Sequence, residues 1–200
     1  MNYPESFQKI INCLKLLPGV GEKTAERYAF SLLNLEPEKL DEFGELVKNI
    51  SKNITECSVC GCLSDTNKCM ICGDLSRNQD IICVVENKKN IYTFEKVGMF
   101  KTKYHVLGGL ISPMDGVGPE DINLSSLVKR IESLENPELI LALKSSIEGE
   151  TTTLYIKKIF EEKNVTISRL SYGIPIGAEI DYLDIMTLDK ALEDRKKISE

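Results

Sequence analysis

The sequence predicts an α+β multi-module protein. It has N-terminal helices, a small cysteine module, an α/β domain with a mainly parallel sheet, and a C-terminal tail with a terminal helix. Three observations carry this. Apolar residues recur at helical spacing three times before residue 54; two Cys-x-x-Cys pairs crowd into residues 57–72; strand-like and helix-like stretches alternate from residue 80. With 42% apolar and 28% charged residues, the 200-residue chain folds rather than staying disordered.

The first region, 1–54, holds three helices. Phe7, Ile10, Ile11 and Leu14 mark the first, and Ala25, Tyr28, Ala29 and Leu32 the second. Pro37 opens a third, with Leu40, Phe43, Leu46, Val47 and Ile50 on one stripe. The region 55–78 is a small cysteine module, in which residues 57–72 are poor in large hydrophobics and too few for a core of their own. In 79–174, strands are expected at 81–86, 104–109, 138–143 and 165–170, with helices at 90–98, 124–135 and 151–163. Such alternation implies right-handed crossovers between parallel strands. The region 175–200 reads as a loop followed by a helix over 187–198. No apolar run approaches a membrane span, and the opening residues do not form a signal peptide, so a soluble intracellular protein is expected.

A net charge of −6 excludes a simple polycation that coats nucleic acid, and confines any such contact to local surfaces. Five lysines at 88, 89, 96, 101 and 103 stand against Glu95 alone. That run is either a solvated face or a contact surface for DNA or a partner.

Seven cysteines, an odd number, fit poorly with a secreted disulfide framework. Cys13 and Cys83, isolated in apolar stretches, read as small buried hydrophobes. Cys57, Cys60, Cys69 and Cys72 form two knuckles that can place four thiolates around one tetrahedral zinc. Four protein ligands leave no open position, so that zinc is structural. Cys62 is read as a bystander, because Cys-x-Cys spacing breaks the knuckle geometry.

Between the first two helices lies Leu17-Pro18-Gly19-Val20-Gly21. Such a turn points backbone N–H groups outward at a helix N-terminus, where a phosphate is favoured. Lys23 and Arg27, four residues apart on that helix, can reach the same phosphate backbone. The plainer alternative is an ordinary hairpin turn. It is not a Walker A loop, because Glu22 separates Gly21 from Lys23 and no strand precedes it. Glu86 ends the first strand of the α/β region, and Glu148 and Glu150 are expected on the same sheet edge. His105, the single histidine, reads as structural.

The LPGVG hairpin resembles the helix-hairpin-helix, a DNA-binding motif that contacts phosphates without reading sequence. Glu86 and its downstream acids resemble the Toprim fold, whose carboxylates hold magnesium for phosphoryl chemistry. Lys144 and Ser146 stand at that pattern's two Asp positions, while Glu148 keeps its Glu. The scaffold is therefore expected without catalysis, with at most a residual magnesium on Glu86 and Glu148. With HVLGGLISPMDGVGPEDI, EGETTTLYI and GIPIGAEIDYLD, residues 3–195 resemble the RecR recombination-mediator family. The segment ALKSS and the extra Cys62 depart from it.

The resemblance implies recombinational DNA repair in the bacterial cytoplasm, acting with RecO and RecF to load RecA on single-stranded DNA at gaps. It also implies sequence-independent contact with single- and double-stranded DNA, and ring-shaped dimers or tetramers. A magnesium-dependent nuclease or primase-like enzyme is one rival reading. A pure assembly scaffold is the other.

Overall fold

The structure, a computed structural model, describes residues 3–98, 100–171 and 173–195. The chain forms two compact units, one ending at Asn53 and one starting at Ile54.

The first unit contains α1 (Glu5–Leu14), α2 (Glu22–Leu33) and α3 (Pro37–Asn53). Helices α1 and α2 make a hairpin whose small core is Phe7, Ile11, Ala25 and Ala29, with Leu14 and Val20 packed against it. Two alanines on α2 let the helices approach closely. Tyr3 and Phe30 then close over Phe7 with ring centroids 5.2 and 4.8 Å away. Cys13 is exposed, contrary to its reading as a buried hydrophobe. Two positions past Ile11, it sits about 200° around the helix and faces away from the core. Helix α3 buries none of its residues, and Phe43, Leu46, Val47 and Ile50 stay exposed.

The second unit is built on a parallel sheet in the order β4-β3-β5-β6, formed by Lys103–Val106, Ile81–Val85, Glu138–Ala142 and Thr166–Arg169. Crossovers are made by α5 (Lys88–Val97), α6 (Leu124–Ile131) and α7 (Ile147–Ile159). Strand alternation divides the apolar residues between two faces. Ile82, Val84, Leu139 and Leu141 pack with Leu127 and Ile131 of α6 and Ile156 of α7. Cys83 and Val85 face the other way, onto Ile91 of α5, Tyr104, Val106 and the clustered cysteines. Cys83 is therefore the buried hydrophobe its neighbours suggest. The cysteine-rich segment supplies part of one layer of this unit and shares its core.

Helix α7 starts four residues before the apolar period suggests. The Ser146 hydroxyl caps it by accepting from the Gly149 N–H at 3.3 Å, and Glu148 and Glu150 complement the positive helix end. Gly149 lies so close to the Lys144 carbonyl that a Cβ would come within 1.9 Å of its oxygen. Helix α5 also starts early, at Lys88, where the Asn90 side chain accepts from the Asn87 N–H. Helix α6 ends at Ile131, and Leu134 reaches the same core from the following turn. The terminal helix, α8, spans Ile185–Glu193, with the Asp184 carboxylate accepting from the Thr187 N–H. Residues 196–198 of the expected terminal helix lie outside the described residues. No described helix is long and apolar enough to cross a membrane.

Candidate metal centre and nucleic-acid interface

A two-stranded antiparallel ribbon, β1 (Thr55–Glu56) with β2 (Leu63–Ser64), closes the first cysteine knuckle. The second is the start of a single helical turn, α4 (Met70–Gly73). Gly61 completes the first turn with φ +74°, and its Cα lies so near β4 that a Cβ would sit 3.3 Å from the Val106 side chain. A residue other than glycine is disfavoured there on both counts.

The sulfur atoms of Cys57, Cys60, Cys69 and Cys72 lie within 4.8 Å of one another, and all four residues are buried. Cys60 and Cys69 Sγ are 3.6 Å apart. A tetrahedral zinc with Zn–S bonds near 2.3 Å sets its sulfurs about 3.8 Å apart, so the donor set fits that ion. Backbone N–H groups of Cys69, Cys62 and Cys72 donate to the sulfurs of Cys57, Cys60 and Cys69 at 3.3–3.4 Å, which favours thiolate over thiol. A hydrogen bond from Cys60 and the nearby charge of Arg130 bring the Cys72 thiol down to about 5, while the Cys60 thiol is pushed up by that same bond and by burial. Cys62 stands apart, its thiol directed at the Tyr92 hydroxyl 3.7 Å away.

The cysteine segment, with Arg77 and with Arg130 of α6, covers the outer edge of β4. The Val106 N–H donates to the Cys60 carbonyl at 2.8 Å, Arg130 Nη1 to the Tyr104 carbonyl at 2.6 Å, and Arg77 Nη1 to the Thr102 carbonyl at 3.2 Å. Arg77 also grips Glu95 with two bonds of 2.8 and 2.6 Å, and the Tyr104 hydroxyl donates to the same carboxylate. That edge is closed to further strand pairing.

The lysine run splits into different roles. Lys103 is only 2% exposed, and its ammonium donates to the carbonyls of Ile71, Cys72 and Asp74. Lys88 pairs with Glu56, while Lys89, Lys96 and Lys101 are exposed. His105 is fully buried, with Nε2 at 2.8 Å from the Asn123 carbonyl, and burial pushes its pKa down to about 4. It is a neutral core residue at ordinary pH.

Glu86 lies just beyond β3, in a cleft it shares with Asn90, Thr93, Phe94, Ala142, Leu143 and Lys144. This is where the strand order reverses, the place where open α/β sheets bind ligands. Glu148 and Glu150 do not join it as a pair. Both belong to the first turn of α7, and residues two apart face different sides of a helix. Glu148 is held below the usual carboxylate range by the Ser146 hydroxyl, and Lys144 adds to the effect. Glu150 instead meets Arg169 Nη1 at 3.0 Å, and Arg169 also reaches Asp194 of the tail. Among the described residues, the four cysteines are the one group of three or more metal-donor side chains that converge.

In the hairpin, Gly19 takes φ +80°, and no side chain caps the N-terminus of α2 at Gly21. Lys23 and Arg27 are exposed one turn apart on that helix. In this unit Lys9, Lys15, Lys39 and Lys48 pair with Glu5, Glu22, Glu36 and Glu45. Among the described residues, neither Lys23 nor Arg27 has a carboxylate partner. Sequence reasoning found these two cations but missed Arg77, Lys103 and Arg130. Only Lys103 carried any signal, and it was hidden within a run of solvated lysines.

Known proteins match the chain in the same order as these parts. The model of the RecR helix-hairpin-helix family matches residues 7–50, that of the Toprim domain residues 80–171, and that of the RecR C-terminal family residues 173–196. Recombination protein RecR from Staphylococcus aureus strains MRSA252 and JH9 is 41% identical over 198 residues, covering 99% of this chain and the whole of each relative. A hairpin, a four-cysteine cluster and a Toprim sheet in this order, matched end to end at that identity, place the chain in the RecR recombination protein family.

Proposed function

We propose that this protein is a non-catalytic DNA-binding recombination mediator that grips phosphate backbones through Gly19, Gly21, Lys23 and Arg27. The observation that carries the reading is the pair of exposed cations one turn apart, without carboxylate partners among the described residues, beside an uncapped helix N-terminus; of the unit's other lysines, four are ion-paired and Lys52 stands on α3. A phosphate satisfies both the cations and the open N–H groups. Such contacts are independent of base sequence, so single- and double-stranded DNA both qualify.

RecO and RecF are the partners this reading inherits from the family, with RecA loading at gaps as the outcome and the bacterial cytoplasm as the setting. Self-association as a ring-shaped dimer or tetramer is supported by the uncovered stripe of α3 and by exposed Ile176, Tyr182 and Ile185 in the tail. Several copies would concentrate a few cations around DNA and bind far more tightly than one, despite the acidic chain. The four cysteines would hold one structural zinc.

Lys144 in the cleft of Glu86, and Glu150 directed to Arg169, favour mediation over magnesium-dependent strand cleavage. Among the described residues, a magnesium at this edge would have Glu86 and Glu148 to hold it, beside a competing cation. The test is binding of labelled single-stranded, duplex and gapped DNA over a salt series, with the DNA checked for breaks after incubation with magnesium. Lys23→Ala/Arg27→Ala should weaken binding and flatten the plot of log affinity against log salt by about 2. Unchanged binding would move the DNA site off the hairpin, and cut DNA would restore the enzyme reading.

A further inference from the structure

A divalent ion held by four thiolates carries a net charge of −2. Buried against a sheet, such a centre is costly unless positive groups stand near it. Two cations from the α/β part of the second unit reach this cluster. Lys103, on edge strand β4, spends its ammonium hydrogens on three carbonyls in the turn that carries Cys72. A buried ammonium needs partners for all three of its N–H donors, and here all three partners lie around one ligand, Cys72. Arg130, on α6, donates to the Tyr104 carbonyl and has no carboxylate partner among the described residues. Arg77, on the same edge, is instead matched by Glu95 and Asp74.

We propose that Lys103 and Arg130 are the counter-charges of the metal centre, positioning residues that set how tightly its four thiolates keep the metal. Two positive charges offset a net −2, and each cation also bonds to backbone beside the cluster. Tyr104, whose carbonyl Arg130 holds, packs in one buried cluster with all four ligand cysteines. This inference rests on the reading of the four cysteines as a zinc site.

The test uses the full chain loaded with zinc alone, measuring metal content and zinc affinity by competition with a chromophoric chelator. Arg130→Met and Lys103→Met should each weaken zinc binding about 10–100-fold, with Arg130→Lys restoring most of the loss. Circular dichroism of the zinc-loaded variants should match the unaltered chain. Zinc held by Arg130→Met as tightly as by the unaltered protein overturns the proposal, as does failure of Arg130→Lys to restore affinity. If Lys103→Met does not fold, the Arg130 pair decides alone. Should the unaltered chain take up no zinc, the zinc reading itself falls, a result distinct from equal affinities across the variants.

Discussion

The two units use the same residue types in opposite ways. In the hairpin, Lys23 and Arg27 are exposed near the uncapped start of α2, with no ion-paired acid among the described residues. In the sheet unit, Arg77, Lys103 and Arg130 are drawn inward, the two arginines bonded to carbonyls at the β4 edge and Lys103 to carbonyls of the cysteine turn. A solvated cation keeps its hydration until a phosphate displaces it, so it contributes to binding and little to folding. A cation withdrawn from water must have partners in place, so its removal is felt in stability. Burial, more than residue type, assigns the work.

Metal removal should separate the units most sharply. Structural zinc contributes roughly 10–16 kcal/mol in small finger peptides, and here the cysteine segment also covers an edge strand. Chelation should release backbone hydrogen-exchange protection at β4 and across residues 55–74, and cause self-association that rises with concentration as that edge opens. Protection in α1 and α2 should persist, because their core contains no cysteine-cluster residue. Loss of protection in both units together would show that they unfold as one.

A smaller effect belongs to the Arg77 network. Glu95→Gln leaves the half-buried guanidinium with one weaker partner and should destabilise the sheet unit by about 2 kcal/mol at neutral pH. The sign with pH follows from Arg77, whose hydrogen bonds hold the Glu95 carboxyl below its ordinary 4.5. Its contribution is fully present above that value and is lost as pH falls through the depressed folded value. Denaturant titrations of the unaltered chain and of Glu95→Gln should therefore converge in acid below pH 4.5. A gap that stays constant into acid would mean that the carboxylate charge does not matter there.

The smallest effect should come from the hairpin cations. Lys23→Ala/Arg27→Ala, which should weaken DNA binding, should change stability by no more than about 0.5 kcal/mol. A melting temperature that falls markedly would place these side chains in assembly or packing, and the contrast between the units would fail.

Much of this was legible along the chain. The hairpin glycines, the paired cysteines and the strand–helix alternation are local patterns, and the structure places each where spacing suggests. Helix starts were less legible. Ser146 and Asn87 begin α7 and α5 through polar caps that apolar periodicity does not register. Cys13 went astray because neighbours in sequence are not neighbours on a helix face.

The sequence by itself determined the order of modules, the four sulfur donors, and the cations at the head of α2, because each is fixed by spacings of a few residues. Tertiary structure alone decided that Lys103 turns inward while Lys101 stays in water, that Glu150 leaves Glu86 for Arg169, and that the cysteine turn seals β4. These outcomes join residues tens of positions apart, through strand pairing and burial that no local pattern encodes. The desolvation that makes them matter exists only once the sheet has closed.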